Sequence, residues 1–181
     1  MATDFYQAMT PTSFTLLGLW LVVVQTRHAD WRRSPTHRRR AYAISLHFSL
    51  PGLMGLLSLI DPSSNWIWRI SFAVIAAVGA LSLLALGRWG RTDRDSVVIA
   101  GAFWVGLVLY VLVAVEAAAP SLLSTWVSLE PLQVEALLLS ALVFLGVNVA
   151  WLFLFDEEPE SDVPLQQHGV RSAGRLRAPG H

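Results

Sequence analysis

Long apolar runs separated by short polar stretches set the pattern of this chain. Four or five of these runs approach the ~20 residues that a helix needs to cross a bilayer core of roughly 30 Å. Five membrane spans are predicted, over residues 10–26, 41–60, 66–87, 96–117 and 131–155. Thr10 is placed to cap the first helix, with Pro11 at its first helical position, and Pro131 stands at the start of the fifth. In the first span the apolar stretch Phe14–Val24 is short, a length that also suits a re-entrant or interfacial segment. That alternative would leave four spans and a cytoplasmic N-terminus. A full span is preferred, because Thr and Ser side chains can bond back within the helix.

Composition supports lipid as the solvent. With 54% hydrophobic and only 14% charged residues in 181, the apolar runs cannot all be hidden inside a soluble core. The expected class is therefore an all-α, polytopic integral membrane helix bundle. The start, MATDFYQAMTPTSF, has neither a basic n-region nor a small-residue cleavage site, so no cleavable signal peptide is expected. Beyond Phe155 the chain turns polar and rich in Pro and Gly, and residues 156–181 read as a disordered cytoplasmic tail.

Charge placement gives the orientation. The connection over residues 27–40 carries six arginines and the one over residues 87–96 carries three, whereas the other two connections carry none. Short basic connections stay cytoplasmic, which puts the N-terminus outside and the C-terminus inside, most naturally in a plasma (inner) membrane. Trp66, Trp68, Trp89 and Trp126 fall near the expected span ends, as interfacial aromatics do. The arginine-rich stretch 27–40 is a candidate contact for anionic lipids. Lys+Arg and Asp+Glu balance at 13 each, so a nucleic-acid partner is not implied.

Helix contacts are foreshadowed by small residues. Ala73, Ala76, Ala77 and Ala80 form a stripe on the third span, and Ser45, Ser49 and Gly52 a similar line on the second. Such faces let backbones approach closely in lipid, and these two are expected to pack, within the hairpin or between subunits.

Polar residues at depth fall into two layers. An outer one holds Asp61, Arg69, Glu116, Glu130 and Glu135, and reads as an acidic vestibule. An inner one holds Gln25, His47 and Asn148, with His47 about 9 Å and Asn148 about 10 Å in from their helix ends. Pro51 lacks an N–H and clashes with the carbonyl four residues back, which belongs to His47. That position offers a freed backbone acceptor beside an imidazole, either a polar path or a structural kink. Glu135 and Asn148 sit on different faces of the fifth span, so that span is expected to be a hub or part of a homo-oligomeric interface.

Missing motifs narrow the chemistry. Without cysteine there is no disulfide and no thiolate metal site. No H-E-x-x-H, phosphate-binding loop or nucleophile elbow is present, so neither an enzyme, a metal site nor a cofactor is expected. The leading expectation is a homo-oligomeric ion channel or small transporter. The alternative is a non-catalytic accessory subunit or assembly factor of a larger membrane complex.

Overall fold

The computed structural model describes residues 2–31, 34–60, 65–90, 97–120 and 129–155. These form six helices: α1 (Ala2–Thr26), α2 (His28–Trp31), α3 (Pro35–Ser58), α4 (Asn65–Gly90), α5 (Val97–Ala118) and α6 (Pro131–Phe155). All but the one-turn α2 are long and apolar enough to cross a membrane, and no strand occurs among the described residues. The chain is thus an all-helical, multi-pass membrane protein, in which intrahelical bonding satisfies the backbone in lipid. The expected tail 156–181, Asp61, Trp126 and the side chain of Trp89 lie outside the described residues.

Two helix starts differ from the sequence expectation. α1 begins at Ala2, and Pro11 lies inside it, so Thr10 is a buried mid-helix residue and not a cap. Proline is tolerated inside a membrane helix because neighbours can re-satisfy the freed carbonyl. At 25 residues α1 is long enough to cross fully. α3 starts at Pro35 with Ser34 as its N-cap, so Arg38, Arg39 and Arg40 ride on the helix and not in a loop. At α6, Gln133 reaches back through its Oε1 to the Glu130 N–H at 3.1 Å, one half of a capping box.

α1 packs along α3, α3 against α4 and α6, α4 against α5, α5 against α6, and α6 closes on α1. The centre is α3: 61% of its apolar stretch is buried, against at most 33% in the other four spans. Of the two places expected for the fifth span, hub or oligomer interface, the hub is taken by the second span. Its glycines explain why. A Cβ on Gly52 would lie 3.1 Å from Ser13 Cβ, and one on Gly55 would lie 2.5 Å from Thr10 Oγ1, so α1 rests directly on the α3 backbone. Gly52 therefore faces α1, not the alanine stripe of α4. On α4, Ala76 is buried, Ala73 and Ala80 are half-buried and Ala77 is exposed. Close approaches on that helix fall at its glycines: a Cβ on Gly79 would meet Tyr110 at 2.6 Å and Leu50 at 2.9 Å, and one on Gly87 would meet Phe103 at 2.5 Å.

The two ends of the bundle differ. At the end carrying residues 27–40, Trp20 and Trp31 lie 6.0 Å apart, Trp31 and Phe153 5.0 Å, and His37 and Phe153 5.6 Å. Trp20 Nε1 also donates to the Ala41 carbonyl at 3.1 Å. This aromatic cluster ties α1, α2, α3 and α6 together at the basic end. At the opposite, acidic end Trp68 is buried against Phe72, whereas Trp66 stays 70% exposed, as an interfacial aromatic would.

Candidate functional site

His47 sits on the inward face of α3 and is 4% exposed. Its Nδ1 lies 2.8 Å from the Ala43 carbonyl. A carbonyl only accepts, so Nδ1 carries the proton and donates. In the neutral ring, Nε2 is then the acceptor. Nε2 is buried and has no hydrogen-bond partner.

Two glycines from other helices hold the ring. A Cβ on Gly106 of α5 would lie 2.8 Å from Nε2, and one on Gly146 of α6 would lie 2.7 Å from His47 Cβ. Tyr110 flanks the ring at 5.9 Å between centroids, and its hydroxyl donates to the Leu46 carbonyl at 3.1 Å. Pro51 is fully buried one turn further along, and α3 continues as helix through it.

A cavity of about 150 Å³ opens at the basic end and reaches His47. Thr36, Arg39 and Arg40 contribute from the first turns of α3, and Leu83, Phe103 and Phe153 from α4, α5 and α6. Thr36, Arg40, Ala43 and His47 follow 4-3-4 spacing, which puts them in one line along α3. Its small member, Ala43, leaves room between the guanidinium and the imidazole.

A second polar site lies in the acidic half. Glu116 of α5 and Glu135 of α6 are both 0% exposed and interact electrostatically. Neither oxygen of Glu135 has a hydrogen-bond partner. Tyr6 donates to the Leu132 carbonyl at 3.1 Å and feels the charge of Glu135. From that anchor, Thr10 on α1 and Glu135 on α6 lie about 6 Å and about 4.5 Å deeper, at a similar level of the bundle. The hydroxyls of Thr10 and Ser13 are buried without partners. Arg69 is spent on the end of α5, donating to the carbonyls of Ala117 at 3.0 Å and Ala118 at 2.8 Å. That arrangement satisfies helix-terminal acceptors and puts a cation at the negative end of the helix dipole.

The expected vestibule is therefore not an open rim. Glu116 and Glu135 are enclosed, and among the described residues of that layer only Glu130 is exposed. The expected inner layer does not assemble either. Gln25 and Asn148 are exposed on the outside of α1 and α6, and Asn148 Nδ2 donates to its own helix at the Phe144 carbonyl, 2.7 Å away. His47 faces Gly106, Gly146 and Tyr110 in their place. Along α5, Gly106 and Glu116 are about 15 Å apart, and Met54, Val113, Leu139 and Leu142, all 0% exposed, fill the bundle interior. Two buried polar sites are thus separated by packed apolar side chains.

Sequence reasoning passed over Tyr6, Ser13, Gly106, Tyr110 and Gly146, and gave Thr10 a capping role instead of a buried one. Mid-helix tyrosines with no interfacial reason to be there, and isolated glycines in spans four and five, were the available signals. Among the described residues, no group of three or more His, Asp or Glu is placed to hold a metal ion. Comparison with protein-family models, with characterised proteins and with solved structures found no match. What the fold defines is the class, a five-span helical membrane protein.

Proposed function

We propose that the protein is a small cation-coupled transporter, in which the Glu116–Glu135 pair takes up and releases the coupling cation and the His47 cavity receives the solute. One observation carries this reading: Glu135 is wholly buried in a membrane helix, beside a second carboxylate, with both oxygens unbonded. Ionisable groups at such depth are expensive and mark ion and proton pathways. A continuous pore is less well supported than a transporter, because apolar side chains separate the two polar sites. The arginine connections support an orientation with the basic end in the cytoplasm, against anionic headgroups, and the N-terminus outside. Proton entry into proteoliposomes under an imposed pH gradient tests the reading. The wild type should exceed protein-free vesicles several-fold, and Glu135→Gln should return entry to the vesicle background. A wild type at background, or a Glu135→Gln protein at the wild-type rate, refutes it.

A second reading rests on Asn148. It shares an exposed face of α6 with Phe144, Trp151 and Phe155, which are 71%, 64% and 69% exposed. A polar side chain on an otherwise apolar outer face favours helix association there, in a homo-oligomer or with a larger membrane complex.

A further inference from the structure

We infer that the arginine rim at the start of α3 is a docking surface for the chain's own acidic segment, residues 156–162, which follows α6 beside it. The inference stands apart from the transporter reading and concerns what meets the rim of the His47 cavity.

Helix register puts the two stretches side by side. Gly146 of α6 and His47 of α3 are in close contact, since a Cβ on the glycine would lie 2.7 Å from His47 Cβ. From that level, α6 runs toward the basic end and α3 comes from it. Phe153 and Arg40, each seven residues away, are therefore both about 10 Å nearer that end. The side chains agree: the rings of Phe153 and His37 are 5.6 Å apart, and Phe153 lines the cavity together with Thr36, Arg39 and Arg40. α6 ends at Phe155, level with Arg38. Covalent continuity thus delivers residue 156 to the rim, with no gap for the chain to span.

Charge selects the occupant. Residues 156–162 read DEEPESD, five carboxylates without a basic residue. Acids directly after a helix C-terminus face the negative end of its dipole, and α6 has no basic residue in its last turn to offset them. α3 has the converse deficit. No acidic residue stands in its first turn, and Arg38, Arg39 and Arg40 load its positive end with further positive charge. Each helix end lacks the charge that lies beside the other. Antiparallel packing brings the two deficits together, and one set of ion pairs relieves both.

The arginines have room for this. Arg38 is exposed, and Arg39 and Arg40 are half-buried. Arg39 and Arg40 make other interactions, but a guanidinium has five N–H donors and can take a carboxylate alongside them. Anionic headgroups compete for the same cations, yet the tethered segment offers several carboxylates at once.

Disulfide cross-linking in the full chain tests the contact, because the protein has no cysteine of its own. Thr36→Cys and Ser161→Cys are introduced together, which leaves every charge in place, and the oxidation rate is followed in phosphatidylcholine nanodiscs. Proximity alone gives some cross-link, so the readout is its dependence on charge. Changing the acids of 156–162 to Asn and Gln should slow the rate about fivefold, the worth of two or three exposed ion pairs. About 1 M NaCl, where the Debye length is about 3 Å, should remove that difference. Arg39→Glu with Arg40→Glu should slow the rate similarly, and adding Glu157→Arg with Glu158→Arg should restore it, which a merely damaged bundle could not do. The neutralised segment alters nothing within the helices and keeps the test decisive if the arginine variants fail to fold. A rate indifferent to the acids or to salt overturns the inference and leaves the rim to anionic headgroups. A charge-dependent cross-link that forms only between two chains also overturns it, and assigns the rim to the segment of a second copy.

Discussion

The two glycines around His47 give the structure its sharpest energetic test. Gly146→Ala would place a methyl 2.7 Å from His47 Cβ and 3.0 Å from Phe48 Cε1. Carbon atoms rest at about 3.5–4.0 Å, so the contact must open by about 1 Å. His47 Cβ is bonded directly to the backbone and cannot swing aside, so α3 and α6 themselves must separate. Overpacking of this kind costs about 1–3 kcal/mol, partly offset by the ~1 kcal/mol gained when alanine replaces glycine in a helix. The net expectation is a loss of about 1 kcal/mol. Gly101→Ala is the matched control, since its methyl would meet nothing within 4 Å and only the propensity gain of about 1 kcal/mol remains. The two variants should therefore differ by about 2 kcal/mol, which corresponds to roughly 4–8 °C in Tm for a chain of this size. Thermal unfolding in mild detergent, followed by far-UV circular dichroism, reads this difference directly. If Gly146→Ala melts at or above Gly101→Ala, the close approach of α3 and α6 at His47 is wrong.

Two further outcomes follow from single contacts. Tyr110→Phe removes the hydroxyl bonded to the Leu46 carbonyl and should cost about 0.5–1.5 kcal/mol in the same melt, leaving the helical content unchanged. Trp151→Cys, on the exposed face of α6, should give a dimer with a bismaleimide cross-linker, a clean readout because the chain has no other cysteine. Adding Asn148→Leu should suppress that dimer without lowering Tm; an unchanged dimer yield excludes Asn148 from any association.

The spans were legible because a bilayer demands length and apolarity, and five segments supply both. Their rotation was not. α6 is apolar on nearly every side, and such a helix has no polar face from which to read its phase. Asn148 was therefore turned inward on the argument that depth implies burial, whereas its side chain is satisfied by the Phe144 carbonyl and can face out. The orientation of His47 depends on Gly106 and Gly146, each far away in sequence, and no local pattern on α3 announces them. Thr10–Pro11 was misread because the dipeptide also suits a helix start; only the packing of Thr10 on Gly55 shows that the helix continues through it. The buried acidic residues were read at the correct end of the bundle but not in the correct setting, since enclosure depends on Tyr6 and α1 closing against α6.

Phe153 belongs to two structures at once. One part of its surroundings is the aromatic cluster of Trp20, Trp31 and His37; the other is the cavity that ends on His47. The wall that a ligand would press on is thus the same side chain that fastens the connection between α1 and α3. Filling the cavity and shifting that connection are, at this residue, a single mechanical event. The nearby indoles make it optically visible: the emission of Trp31, 5.0 Å from Phe153, should report cavity occupancy without any added label.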